Sequence, residues 1–99
     1  MTVYALAQVK ITDAEAYTAY TAKTPGVVAA FGGKFLVRGG DVGVIEGDAP
    51  AEGVRFVLLE FPSKERFDAF YNSAEYQEIL PIRLENSEGK VWLFEGYEG

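Results

Sequence analysis

The sequence predicts an α+β sandwich, a four-stranded antiparallel sheet with helices on one face. Three observations lead there. Four runs rich in β-branched and aromatic residues, at 3–11, 34–38, 54–61 and 90–95, have the length of strands. The segments after the first and third runs instead carry apolar residues three and four apart, behind cap signals, as helices do. The order is therefore strand, helix, strand, strand, helices, strand, the split βαβ arrangement. Ninety-nine residues make one ordinary domain, 1–99.

The first strand is apolar on both alternating sets: Val3, Ala5, Ala7 and Val9 on one, Tyr4 and Leu6 on the other. Such a strand needs cover on both faces. The chain's own helices supply one cover, and no segment supplies the other. Thr12 to Glu15 reads as a capping box with Thr12 at the N-cap. The helix it opens sets Tyr17, Tyr20, Val27, Val28 and Phe31 on one stripe, with Pro25 predicting a kink or restart and Gly32-Gly33 the end. After the second strand, Gly39-Gly40 predicts a bend, and 42–47 resumes an extended pattern before a loop at 47–53. The third strand, 54–61, is again apolar on both faces at its centre. Ser63 and Ser73 are N-cap candidates for two further helices, with Phe67, Phe70 and Tyr71 facing inward. Pro81 is expected to open one more turn, closed by Gly89 before the last strand.

Composition removes many chemistries. The net charge is −6, fifteen acids against nine bases, with no basic stripe to neutralise phosphates, so no nucleic-acid partner is expected. With neither Cys nor His there is no thiolate nucleophile, imidazole base, disulfide framework or soft-metal ligand set; no metal and no cofactor is predicted. No apolar run approaches the roughly 20 residues of a membrane helix. The N-terminus reads as a strand, not a signal peptide, and the expected location is cytoplasmic.

The blocks ITDAEAYTAY, FGGKFLVRGG, VIEG, LLEFPS and YNSAEYQEILPIRLENSEGKVWLFEG resemble, in order, the family called domain of unknown function 1330, of the dimeric α+β barrel superfamily. The resemblance spans nearly the whole chain. It implies a ferredoxin-like βαββαβ protomer and a homodimer, which fits two sheets pressed together through their helix-free faces. It brings no catalytic residue, so the catalytic set is unknown. Family members often carry His where this chain has Gln8, and Pro where it has Ala74.

The residues that draw attention as a ligand site are Arg38, Arg83, Tyr17, Tyr71 and Tyr76. Arg38 and Arg83 are cations set in apolar sequence, and a guanidinium binds a carboxylate bidentately. They equally suit structural ion pairs with Glu60, Glu75 or Glu85, and at helical spacing the aromatics equally suit a plain core. Two functions follow from these residues and the superfamily resemblance. One is a cofactor-independent oxygenase or isomerase acting on a small aromatic or carboxylated molecule. The other is a non-catalytic small-molecule-binding or interaction module. The sequence leaves open whether the chain is an enzyme.

Overall fold

A computed structural model describes residues 1–98. Its elements are β1 (Val3–Ile11), α1 (Ala14–Ala30), β2 (Lys34–Arg38), β3 (Val54–Phe61), α2 (Lys64–Tyr71), α3 (Ala74–Asn86) and β4 (Ser87–Glu95). The strands form one antiparallel sheet in the order β2-β3-β1-β4, so the edges are β2 and β4. Register assigns the faces. Val3, Ala5, Ala7 and Val9 stand beside Phe61, Leu59, Val57 and Arg55 of β3, on the face under the helices. Tyr4 and Leu6 stand beside Glu60 and Leu58, and beside Phe94 and Trp92 of β4, on the opposite face.

The core lies between sheet and helices. Val3, Val9 and Phe61 rise from the sheet to meet Tyr17, Tyr20 and Val28 of α1 and Tyr76, Ile79 and Leu80 of α3. Fully buried Phe61 anchors a ring cluster with Phe67 and Phe70, its centroid 5.0 Å from that of Phe70. The apolar stripe of α1 includes Thr24, whose hydroxyl donates to the Tyr20 carbonyl and so satisfies itself within the helix.

Several local expectations are corrected. The N-cap of α1 is Asp13, which accepts from the Ala16 amide at 3.1 Å. The amides of Thr12 and Asp13 both donate to the Asn86 carbonyl, at 2.9 and 3.3 Å, and the helix starts one residue later than expected. Residues 41–53 form no strand: Gly39, Gly40 and Gly47 adopt positive φ and turn the backbone off the sheet, leaving Val42, Val44 and Ile45 exposed. Helix α3 passes straight through Pro81, and Gly89 belongs to β4, because pairing of Ser87 with Ile11 carries the chain directly from helix into sheet. Ser63 and Ser73 cap α2 and α3, accepting from the Arg66 and Tyr76 amides at 3.1 Å. Among the described residues no helix is long and apolar enough to cross a membrane.

Two glycines make opposite demands. A Cβ on Gly33 would come within 2.5 Å of the fully buried Phe61 ring, whereas a Cβ on Gly26 in α1 meets nothing within 4 Å. Gly33→Ala is therefore expected to cost about 1–3 kcal/mol through overpacking. Gly26→Ala should gain about 0.5–1 kcal/mol by restricting the unfolded chain. Thermal melts of the two variants, shifting in opposite directions, check the packing of the α1–β2 turn against Phe61.

Candidate functional site: an arginine-lined cavity under the helices

The sheet floor is low at its centre. Ala5 and Ala7 project toward the helices with almost no side chain, and the space above them is a cavity of about 70 Å³. Tyr17, Tyr20, Thr21 and Thr24 of α1 form one wall, and Phe70, Tyr71, Tyr76 and Arg83 of α2 and α3 the other. The exposed lining residues are Arg38 and Val91, on the two edge strands, so the cavity opens toward the sheet margins. All five residues singled out from the sequence, Arg38, Arg83, Tyr17, Tyr71 and Tyr76, line it.

Three of the chain's four arginines converge there, and among the described residues no carboxylate lines the cavity. Arg83 is only 8% exposed, and its Nε has no hydrogen-bond partner. The glutamates proposed as its partners do not take that part, and Glu60 instead pairs with Lys34 at 3.0 Å on the other face of the sheet. Burial works to lower the Arg83 pKa, and the phenols of Tyr76, Tyr20 and Tyr17 more than offset it, holding the guanidinium above its ordinary value. It stays charged.

Arg55 is the residue that sequence reading missed. It lies in β3 opposite Val9, and its Nε too is buried without a partner. Gly39 makes room for it: a Cβ at Gly39 would stand 2.9 Å from a terminal guanidinium nitrogen. The signal was present in the alternation, since Arg55 shares its parity with Val57, Leu59 and Phe61. Tyr20, Thr21 and Thr24 also line the cavity, and of these only Tyr20 is among the stripe residues predicted from the sequence.

Arg38 is held at the rim by two contacts. Its guanidinium donates to the Thr21 carbonyl at 2.8 Å and lies over the Phe35 ring, 4.9 Å from the centroid. That carbonyl is free because its helical partner four residues on is Pro25, which has no N–H to give. The proline expected to kink or restart the helix thus leaves α1 continuous and supplies an acceptor.

The phenols are graded along the cavity. Tyr20 and Tyr76 share a hydroxyl–hydroxyl hydrogen bond of 2.7 Å. Burial, then the neighbouring Tyr76, pushes the Tyr20 pKa far above the ordinary phenol value. Burial also raises Tyr17, while the positive charges of Arg83 and Arg55 pull it back. Tyr17 thus stands by the two inner cations, at the end where the start of α1 meets the end of α3. Phe67, Phe70 and Tyr71 gather toward Leu59 and Ala5, so the cavity has a cationic end and an aromatic end. Among the described residues no group of three or more carboxylates is placed to hold a metal ion.

A four-stranded antiparallel sheet in this order, with helices on one face and a cavity beneath them, defines a ferredoxin-like α+β protein. The model of the domain of unknown function 1330 matches residues 2–97, and the chain belongs to that family. Among solved structures, the fold is similar to RPA0582, a protein of unknown function from Rhodopseudomonas palustris, at TM-score 0.78 and 20% identity, covering 99% of this chain and 84% of that one. A dimeric ferredoxin-like protein of unknown function from Jannaschia sp. CCS1 aligns at TM-score 0.74 and 17% identity, over 97% of this chain and 100% of that one. SnoaB, a cofactor-independent oxygenase from Streptomyces nogalater, aligns at 0.68 and 12%, over 99% of this chain and 95% of that one. No curated protein matches the chain in sequence.

The buried phenols set an alkaline limit. A folded-state pKa above the unfolded 10.0 means stability is complete below pH 10 and is lost as pH rises beyond it. The loss is expected at about 1.4 kcal/mol per pH unit for each phenol that ionises only on unfolding. Phenolate absorbance of Tyr17 and Tyr20 should therefore appear together with loss of helical circular dichroism. Tyr20→Phe and Tyr17→Phe should each remove one phenolate from that cooperative step.

Proposed function

We propose that this protein binds a small organic acid in the cavity, with Arg38 and Arg83 supplying the positive charge and Tyr17, Tyr71 and Tyr76 bordering the ligand. The carrying observation is the unpartnered Nε of Arg83, deep in a cavity that arginines line and no carboxylate neutralises. An uncompensated buried guanidinium is costly, and an anion from solution relieves that cost. The site takes compact ligands: at roughly 10–15 Å³ of such volume per water, about 70 Å³ has room for a single ring or a short chain.

A second reading, cofactor-independent catalysis by an oxygenase or isomerase, draws support from the fold shared with SnoaB. Native mass spectrometry separates the two: an acid that is retained unchanged supports the binder, and one converted during incubation supports the enzyme.

The mode of assembly proposed with this function is a homodimer through the helix-free sheet face. Tyr4, Leu6, Leu58, Trp92 and Phe94 populate that face, and Trp92 and Phe94 remain 41% and 51% exposed on the single chain. The dimeric state of the Jannaschia protein of the same fold supports a homodimer.

Thermal-shift screening against aromatic and aliphatic acids tests the ligand. Wild type should melt higher with the acids that fit. Arg83→Met should leave the empty protein as stable or more stable by about 1 kcal/mol, and should abolish the shift. No shift from any acid, together with collapse of Arg83→Met, would make Arg83 part of the scaffold and end the proposal.

Light scattering tests the dimer. Leu58→Asp places a carboxylate on the helix-free face and should dissociate the protein, at a cost of several kcal/mol (roughly). Val57→Asp falls inside the cavity among the arginines. That variant should remain dimeric and lose acid binding, because the new carboxylate takes the ligand's place. A wild type that stays folded and monomeric at micromolar concentration rules the dimer out.

A further inference from the structure

We infer that the acid is doubly charged and compact, with one anionic group seated between Arg55 and Arg83 beside Tyr17 and the second met by Arg38 at the mouth. This rests on the cavity being an acid site, and it specifies the class of acid.

Charge is the first ground. Three guanidinium groups line one small space with no carboxylate among the lining residues, in a chain whose net charge is −6. A monoanion leaves two of those charges uncompensated, whereas a dianion leaves one, shared between Arg55 and Arg83. Geometry is the second ground. Arg55 and Arg83 each bury an Nε with no partner and both line the cavity with Tyr17, and Arg55 stands opposite Val9, which places this pair at the Val9 end.

Arg38 lies elsewhere. It pairs in register with Val57, one inward-facing position along β3 from Arg55, and Val57 stands opposite Ala7. Like-facing residues two apart on a strand have backbone positions about 6–7 Å apart, so Arg38 and Arg55 enter the cavity from separate positions, which the two ends of a short diacid can meet. The third ground is preorganisation. The Thr21 carbonyl that Pro25 leaves free and the Phe35 ring hold the Arg38 guanidinium in place, and only one of its terminal nitrogens is committed to Thr21. Its remaining N–H groups are available to an incoming oxygen.

Paired probes of equal carbon skeleton isolate the second charge: succinate against butyrate, and phthalate against benzoate, by titration calorimetry on the full chain. At least one diacid should bind on the order of tenfold more tightly than its monoacid, the scale of one added charge-assisted hydrogen bond. Arg38→Met should erase that preference while monoacid binding persists, and Arg38→Lys should keep part of it. Pro25→Ala gives the Thr21 carbonyl a helical donor and should weaken the preference without touching any lining residue. Arg55→Met should reduce mono- and diacids alike.

Equal affinity for both members of each pair would overturn the inference while leaving the acid site standing. Absence of binding by all four acids would remove the inference and the proposed function together. If inorganic phosphate outbinds succinate and Arg38→Met leaves it unaffected, both charges sit at Arg55 and Arg83, and the role given to Arg38 is wrong.

Discussion

Unbalanced positive charge held under a helical cover is the constraint on which the rest of this structure turns. Three arginines face one space with no acid among them, although acids outnumber bases along the chain. A core of this size has little stability to spare, since a small domain is stabilised by only about 5–15 kcal/mol in total. Burying the Nε atoms of Arg55 and Arg83 without partners works against that margin. The surroundings are arranged to tolerate them. Phenols from Tyr17, Tyr20 and Tyr76 stand near Arg83, and Gly39 gives up its side chain to clear the Arg55 guanidinium.

The space itself comes from small residues at matched positions. Ala5 and Ala7 occupy the centre of β1, where a larger aliphatic side chain would reach the helices and close the cavity. To either side, Val3 and Val9 are buried, and the sheet meets the helices as a packed core. Helices α1 and α3 are thus supported at the ends and held apart in the middle. The aromatic end, from Phe67 to Tyr71, and the cationic end, at Arg55 and Arg83, then give the cavity a direction.

Irregular features of the chain acquire a purpose in this light. Pro25 would ordinarily weaken a helix. Here it frees a carbonyl that anchors Arg38, and so links the middle of α1 to the edge of the sheet. The double glycine after Arg38 marks the end of a strand in sequence. In space its first member turns with φ of 72° and lets Arg55 lie flat against the backbone. Arg38 and Gly39 therefore serve the same site by different means, one through its charge and the other through its lack of a side chain.

Most of the fold was legible in the sequence because alternation, caps and helical spacing are local signals. The strands 3–11, 34–38 and 54–61 and the caps at Ser63 and Ser73 agree with the structure for that reason. The failures are also local. Asp13 holds the N-cap in place of Thr12, and the apolar pattern at 42–47 found no strand to pair with. In the site, Arg38 and Arg83 stood out because a cation in an apolar run is conspicuous. Arg55, at the start of its strand beside a loop, did not. What the sequence by itself determined was the order of elements, the two-sided apolar sheet and the exclusion of thiol and imidazole chemistry. Only the tertiary structure decided that Arg38, Arg55 and Arg83 meet in one cavity with no carboxylate among its described lining residues, because that depends on strand register, on the crossing of α1 over β2 and on a carbonyl freed by proline. Those relations are set by packing between segments far apart in the chain, and no single segment encodes them.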